Sequence, residues 1–167
     1  MIVRPAIGAD IFAVFRMLTP ERAAEMTAST FHDSPRQLAE ELCAVIGMRP
    51  CTMIALHAAD AVWPAAIVGV VPFGPGLGGM IWAATAFWPE LALASHRWWR
   101  AVFVPDVLCP QFRRVEFTAL ASDTGSRRWL KVLGFTEEGT AYRQGKRGED
   151  FVHMAWLNPD VTVGVHA

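Results

Sequence analysis

The residues with the most recognisable chemical spacing are the glycines of "GPGLGG", at positions 74 to 79. Gly74, Gly76 and Gly79 fit the G-x-G-x-x-G pattern that binds a dinucleotide pyrophosphate. That pattern works only after a strand and at the start of a helix, because the N–H groups of the helix N-terminus bind the phosphate. Here the flanking segments "AAIVGVVPF" and "MIWAATAFWPE" are apolar and lack helical periodicity. We therefore predict two strands joined by a glycine turn that contacts no phosphate.

Other residue types that commonly carry chemistry are scattered rather than clustered. The five histidines share no metal-ligand spacing, so the sequence predicts no metal site. The three cysteines include no C-x-x-C pair, and we expect all of them to be buried as small hydrophobic residues. No G-x-S-x-G elbow and no cysteine–histidine signature is recognisable, so a side-chain nucleophile of those types is not indicated.

The composition indicates one folded domain. Of the 167 residues, 53% are hydrophobic and 19% are charged, which excludes a disordered chain and allows a sizeable core. The net charge of −1 predicts no general nucleic-acid surface. No charged residue occurs from Ala61 to Pro89, but prolines and glycines interrupt this run, and two buried strands explain it better than a membrane span. We therefore expect a soluble cytoplasmic protein.

The elements that must position any site follow from periodicity and from helix-start signals. A short strand at "IVRPA" leads into a helix over "GADIFAVFRML", whose apolar residues recur at helical spacing. Thr19 and Pro20 are typical of the cap and first position of a second helix. Ser34 and Gln37 form a capping box for a third helix over "SPRQLAEELCAVIG".

The rest of the chain alternates strands with two further helices. The predicted elements are strands at Cys51–Ala58, Ala65–Pro72 and Met80–Ala86, a helix over Pro89–Phe103, a strand at Arg114–Ala121, a helix over "DTGSRRWLKVLGF" capped by Asp123, and a hairpin of "TAYRQ" and "EDFVHMAWL" around "GKRG". Helices therefore interrupt a mostly antiparallel sheet. This order predicts an α+β or mixed α/β class in one layered domain.

The string "SDTGSRRWLKVLGFTEEG" resembles the C-terminal half of the GNAT acetyltransferase superfamily. In that family a strand leads into Asn-x-x-Ala-x-x-hydrophobic-Tyr-x-x-hydrophobic-Gly-Phe, followed by a hairpin, and Gly134-Phe135 lies at the matching distance after the strand. The helix is most similar to those of GNAT-like proteins of tailed phages and prophages. The resemblance implies a single GNAT-like domain over residues 1–167, with a central, mostly antiparallel mixed sheet and helices on both faces.

The resemblance also implies acetyl-CoA as cosubstrate, bound where the fourth and fifth strands splay apart. The pantetheine would run along Ala83, Ala84 and Thr85, and the pyrophosphate would meet the N–H groups of Phe87 and Trp88. The acceptor would be an amine on a small molecule or a protein.

The helix that follows the fifth strand would supply further contacts to the same cosubstrate. Asp123 and Ser126 stand at the family's Asn and Ala positions and would face the pantetheine. Arg128 carries a permanent charge and is the expected side-chain partner for phosphate.

The sequence departs from the family at the phosphate loop. The family has Gln/Arg-x-x-Gly-x-Gly/Ala before the helix, whereas this chain has "AFWPEL" there. Phe87 and Trp88 are bulky, Pro89 lacks an N–H group, and Glu90 places a negative charge at the helix start. Each of these features disfavours a pyrophosphate, although a helix N-terminus remains.

Transfer of an acetyl group to an amine also needs a base that removes the ammonium proton. The best-placed acid is Glu116 on the fifth strand, and Asp123 is second; a surface position for Glu116 and an N-cap for Asp123 are the structural alternatives. The family's tyrosine position carries Leu130, which cannot protonate the departing thiolate, so water would do so.

Two functional classes therefore stay open. One is an acyl-CoA-dependent N-acyltransferase with an atypical phosphate site, and the other is a non-catalytic GNAT-fold protein, such as a phage virion or assembly component. We expect Trp98, Trp99 and Trp129 to lie in the core or in an oligomer contact, which leaves a homodimer open. Trp82 and Trp88 flank the expected cofactor cleft.

Overall fold

The strands form one sheet whose centre contains its single parallel pair. The computed structural model describes residues 1–28, 30–48 and 52–161, and within them the strand order is β1-β2-β3-β4-β5-β7-β6. β4 and β5 pair in parallel, and every other neighbouring pair is antiparallel. The strands are β1 (Ile2–Pro5), β2 (Thr52–His57), β3 (Ala66–Gly74), β4 (Leu77–Ala84), β5 (Arg114–Leu120), β6 (Thr136–Ala141) and β7 (Phe151–Leu157).

Helices cover both faces of this sheet, as predicted. They are α1 (Gly8–Arg16), α2 (Pro20–Ala28), α3 (Pro35–Met48), a 3₁₀ turn (Trp88–Leu91), α4 (Ala92–Trp98), a π-helical segment (Trp99–Leu108), α5 (Cys109–Gln111) and α6 (Thr124–Val132). The mixed α/β class, with a mostly antiparallel sheet in one domain, is confirmed.

Two hydrophobic cores lie on opposite sides of the sheet. On one side Ile11, Val14 and Phe15 of α1 pack with residues of α3 and the central strands. These three residues share one face of α1 because their spacing follows the helical period. On the other side Trp99 and Phe103 pack with α6 and with β5 and β7. The odd-numbered residues of β4 therefore face one core, and its even-numbered residues face the other.

The predicted helix caps are present. Thr19 Oγ1 accepts the N–H of Arg22 at 3.4 Å, and Ser34 Oγ accepts the N–H of Gln37 at 3.3 Å. At the start of α6, Asp123 Oδ1 accepts the N–H of Ser126 at 3.0 Å. These bonds satisfy donors that the first turn of a helix leaves without partners.

The glycine string forms a hairpin, as predicted, but β4 begins earlier than expected. Pro75 and Gly76 connect the paired residues Gly74 and Leu77, and Gly76 has a φ of 69°. The predicted strand from Met80 to Ala86 is therefore shifted, because the last glycines of the string already belong to β4.

A threonine ends β4 at Ala84. Thr85 donates its hydroxyl and its N–H to the carbonyl oxygen of Ala65, at 3.0 and 2.9 Å. Its side chain then accepts the N–H of Phe87 at 3.3 Å, which turns the chain out of the sheet.

The helix predicted over Pro89–Phe103 is longer and changes type. After α4 the chain forms a π-helical segment that contains Pro105, and a π-type bond joins the N–H of Cys109 to the oxygen of Val104. Proline lacks the N–H of an α-helical bond, and wider turns accommodate that loss. Trp99 is fully buried and donates Nε1–H to the oxygen of Leu133 at 3.0 Å, which ties this segment to α6.

Two other predicted strands differ at their ends. The strand predicted at "TAYRQ" begins earlier, at Thr136, and ends at Ala141 because Arg143 adopts a turn conformation with a φ of 56°. The predicted start of β2, Cys51, lies outside the described residues.

Replacement of Gly76 by alanine should lower the free energy of unfolding by about 1–2 kcal/mol, because a left-handed φ strains an L-residue. The added Cβ would also lie 2.8 Å from Arg113 Nε. Gly47→Ala is the matched control, since a Cβ there meets nothing within 4 Å inside α3 and should stabilise by about 0.5–1 kcal/mol. Urea unfolding of both variants measures the difference, and equal shifts would contradict the assignment of strain to the turn.

Candidate functional site

The central strands part in the middle of the sheet. β4 and β5 pair at three positions, Leu77–Arg114, Gly78–Val115 and Gly79–Glu116. Beyond the last pair β4 stays with β3, while β5 stays with β7 as far as Leu120. The gap between them is a place where an extended ligand can meet unpaired backbone groups.

A cavity of about 390 Å³ occupies this gap and is called the β4–β5 cleft below. Its walls come from both strands, from α2, and from the N-terminal part of α6. They are Leu18, Arg22, Glu25, Met26, Met80, Trp82, Ala84, Trp88, Phe117, Thr118, Gly125, Ser126, Trp129 and Phe151.

One edge of β4 faces the cleft with its backbone. The N–H of Thr85 is bonded to the oxygen of Ala65, and antiparallel ladders alternate bonded and non-bonded residues. Met80, Trp82 and Ala84 therefore direct their N–H and C=O groups away from β3. Their side chains line the same cleft, so this edge offers both polar and apolar contacts.

Three tryptophans from separate elements meet in the cleft. The ring centroids of Trp82, Trp88 and Trp129 lie 5.1 to 5.7 Å apart, each pair edge to face. Trp99 lies behind them, 6.0 Å from Trp82. The indole Nε1 atoms of Trp82 and Trp129 are buried without a hydrogen-bond partner in the described structure. The cleft therefore has an aromatic wall, and two of its rings carry buried N–H groups without a partner in the described structure.

A charged cluster lies beside this wall. Arg22 on α2 contacts the carboxylate of Asp123 and the hydroxyl of Ser126, and it donates to Glu25 at 2.8 Å. Burial raises the pKa of Glu25, and the neighbouring charge of Asp123 raises it further. Although burial acts in the same direction on Asp123, the N–H of Ser126 and the charge of Arg22 lower the pKa of that carboxyl. The two acids of the cluster are thus shifted apart.

The two acids predicted from the sequence lie in different places. Glu116 forms the last pair with Gly79, but its half-exposed carboxylate bonds Arg114 Nε at 2.6 Å and is not part of the cleft wall. Asp123 is the N-cap of α6; it does not line the cleft itself, but it contacts Arg22 and Ser126, which do. Their catalytic roles remain predictions.

Of the residues predicted to contact the cosubstrate, Ala84, Trp88 and Ser126 line the cleft. The others lie around it rather than on its wall. Ala83 packs in the core on the α1 side, Thr85 is buried against β3, Phe87 is 61% exposed, and Arg128 is exposed and forms no ion pair within the described residues.

The amides predicted to meet the pyrophosphate already have partners. Thr85 Oγ1 accepts the N–H of Phe87, and the Thr85 carbonyl oxygen accepts the N–H of Trp88 at 3.1 Å. Binding of phosphate by these two groups would require that this turn open.

Sequence reasoning missed the contribution of α2. Arg22 and Glu25 are a helical i,i+3 pair, which is common on solvated helices and carries no signal of a site. Their role arises because the Arg22 side chain reaches the N-terminus of α6, which is about a hundred residues later in the chain.

A larger cavity of about 700 Å³ lies on the α1 and α3 side of the sheet. It is lined mainly by apolar residues, among them Phe12, Phe15 and Trp63, and no carboxylate lines it. It is separate from the parting of the strands, although Leu18 borders both cavities.

Among the described residues no group of three or more His, Cys, Asp or Glu is placed to hold a metal ion. The described helices include none with the length and apolar character needed to cross a membrane. Cys43 and Cys109 are partly buried rather than fully buried as expected, and burial raises the pKa of both thiols. Cys51 lies outside the described residues.

Solved structures match the chain over nearly its whole length. A spermidine N-acetyltransferase from Vibrio cholerae, in complex with CoA and spermine, matches with a TM-score of 0.68 and 12% identity over 94% of this chain and 95% of that one. A ribosomal-protein-alanine N-acetyltransferase from Brucella melitensis matches with a TM-score of 0.65 and 12% identity, over 94% of this chain and 99% of that one. A ribosomal-protein-S5-alanine acetyltransferase from Vibrio fischeri matches with a TM-score of 0.62 and 16% identity, over 96% of this chain and 94% of that one.

Comparison by sequence finds no match, in contrast to comparison by structure. No family model matches the chain, and no curated protein matches it. The structural matches and the parting of β4 from β5 agree with each other. The chain therefore has the fold of the GNAT N-acetyltransferases.

Proposed function

We propose that this protein is an N-acetyltransferase that moves an acetyl group from acetyl-CoA to an amine. The observation that carries the proposal is the β4–β5 cleft, where two central strands part after Gly79–Glu116 around a cavity of about 390 Å³. The resemblance of the α6 segment to the GNAT superfamily supports a cosubstrate bound at this point. The solved spermidine N-acetyltransferase of the same fold is in complex with CoA, which supports the same assignment.

The cleft suits the pantetheine part of acetyl-CoA. The free edge of β4 at Met80, Trp82 and Ala84 offers N–H and C=O groups to the amides of an extended chain. The buried Nε1 atoms of Trp82 and Trp129 are donors without partners, and a ligand carbonyl would satisfy them if the rings adjust. Ser126 lines the same space, and Asp123 is held beside it by Arg22.

The phosphates of acetyl-CoA would rely on side chains more than on backbone. The turn at Phe87 and Trp88 has its amides bonded to Thr85 and has no glycine. Arg128 is exposed on α6, whose N-terminal part lines the cleft, and its guanidinium could bind a phosphate. A guanidinium binds phosphate without needing a glycine loop.

A second candidate is a GNAT-fold protein without catalysis, such as a phage virion or assembly component. The observation that favours it is that Trp82, Trp88 and Trp129 contact one another inside the cleft while the phosphate-side amides are already bonded. In such a non-catalytic protein the aromatic cluster would serve as a third, small hydrophobic core. Binding of acetyl-CoA separates the two candidates.

Calorimetric titration with acetyl-CoA should show binding to the wild-type protein and at least tenfold weaker binding to Ala84→Phe. Ala84 lines the cleft, so a phenyl ring there removes space for the pantetheine. Ala101→Phe is the matched control, since Ala101 is exposed on the π-helical segment outside the cleft wall. No binding by the wild-type protein at millimolar acetyl-CoA would support the non-catalytic candidate instead.

Replacement of Arg128 by alanine should weaken acetyl-CoA binding by about tenfold or more, because a charge-assisted contact contributes roughly 1.5–3 kcal/mol. Arg97→Ala removes another exposed cation, from α4, and controls for general charge effects. The same calorimetry measures both variants, with circular dichroism to confirm folding. Equal affinities for wild type and Arg128→Ala would remove Arg128 from the site.

A further inference from the structure

The acid that lines the β4–β5 cleft differs from the acid that the sequence predicts. Among the residues that line it, Glu25 carries the carboxylate and Arg22 carries the cation, while Glu116 lies outside. Asp123 binds Arg22 from the N-terminus of α6. The cluster therefore holds two carboxylates against one guanidinium, a net charge of −1 when both acids are ionised.

Glu25 is built into the site rather than free on the surface. Its side chain is 14% exposed, and Arg22 Nη1 donates to its Oε2 at 2.8 Å. Because Arg22 is itself bonded to Asp123 and Ser126, the carboxylate of Glu25 is held by a group that α6 fixes in place. A carboxylate oriented in this way is suited to accept a proton at a defined point.

The aromatic wall complements this charge. The rings of Trp82, Trp88 and Trp129 border the same cavity as Glu25, and Phe117 and Phe151 add two further aromatic side chains. Aromatic faces attract cations, and the effect grows when water is excluded. An ammonium group in the cleft would therefore be favoured both by the net negative charge and by the rings.

We infer that Glu25 is the general base of the reaction and that the acceptor is an unhindered primary alkylamine whose ammonium group enters the cleft between Glu25 and the tryptophans. This inference rests on the proposed function. It assigns to α2 the role that the sequence suggested for Glu116 on β5, because Glu25 lines the cleft and Glu116 does not.

The proton and bond changes balance as follows. The ammonium group of the acceptor gives one proton to the Glu25 carboxylate, and the freed lone pair attacks the thioester carbonyl carbon. The N–C bond forms, the C–S bond breaks, and the thiolate of CoA departs with the bonding electron pair. A second nitrogen proton passes through water to the thiolate, and Glu25 then releases its proton to solvent.

The environment of Glu25 is consistent with this role. Burial and the charge of Asp123 raise its pKa, which makes the ionised form a better proton acceptor, and the opposing influence is Arg22 on the same helix. With Glu25 present, the rate with an ammonium substrate should fall only as the pH drops through this raised pKa. Without it, the enzyme depends on free amine, so the rate should climb about tenfold per pH unit below the amine's own pKa.

The test compares Glu25→Gln with the wild-type protein, using butylamine as acceptor and thiol release as the readout. We expect kcat/KM at pH 7 to fall at least about 100-fold in Glu25→Gln and its pH profile to become a rising line through pH 7–9. Acetyl-CoA affinity should stay within about threefold, and Glu25→Asp should recover part of the rate. Glu40→Gln, an exposed acid on α3, is the control for a lost surface charge.

A second measurement does not depend on catalysis. Titration with butylammonium chloride against sodium chloride of equal ionic strength should change the fluorescence of the cleft tryptophans in the wild-type protein, with an affinity at least tenfold weaker in Glu25→Gln. Equal responses in both proteins, or an unchanged rate in Glu25→Gln while Glu116→Gln loses activity, would overturn the inference and leave the acetyltransferase intact. Failure of acetyl-CoA to bind the wild-type protein would instead refute the proposed function, and with it the role of Glu25 as a base, while a butylammonium response that weakens in Glu25→Gln would show the ammonium site by itself.

Discussion

The parting of β4 from β5 after the Gly79–Glu116 pair is the constraint on which the rest of the molecule depends. A central strand that leaves its neighbour exposes N–H and C=O groups, and such groups are costly when buried without partners. Each strand therefore keeps its other neighbour, β4 with β3 and β5 with β7. Residues of α2 and α6 line the gap, and the cleft is the space between them and the two strands.

The tryptophan cluster shows how the chain supports a gap inside its own sheet. Trp82, Trp88 and Trp129 bury large rings against one another, and each edge-to-face pair adds about 0.5–1.5 kcal/mol beyond the burial itself. The two buried indole N–H groups without partners each cost about 1–3 kcal/mol. These gains and costs are of similar size. The cluster is therefore held by the apolar area of its rings, and a ligand that supplies hydrogen-bond acceptors to the indoles would gain from doing so.

Local signals in the sequence predicted most of the fold. Helix caps at Thr19, Ser34 and Asp123 and the glycine hairpin depend on neighbouring residues, so they could be read directly. The end of β4 depended on bonds from Thr85 to Ala65, twenty residues away in sequence, and was misplaced. The helix after it was predicted too short, since Pro105 signals an end unless wider turns accommodate it.

The candidate site was harder to predict than the fold, because its polar residues come from segments that are distant in the chain. The family resemblance identified the α6 segment and hence Asp123 and Ser126. It carried no information about α2, since the pairing of Arg22 with Asp123 exists only after the sheet has brought the two helices together. Glu116 was the acid nearest to the expected position along β5, but Arg114 and the strand's register hold its carboxylate outside the cleft wall.

Arg22 makes the proton affinity of Glu25 depend on whether a ligand occupies the cleft. Its guanidinium bonds Glu25 on its own helix and both Asp123 and Ser126 on α6, so it connects α2 to α6 across the opening of the cleft. A guanidinium has five N–H donors in a rigid fork, so it can share a ligand oxygen without releasing both carboxylates. A ligand that reaches the Ser126 hydroxyl must therefore share Arg22 or displace it. If it displaces Arg22, Glu25 loses its compensating charge while it stays buried, and its affinity for a proton rises further.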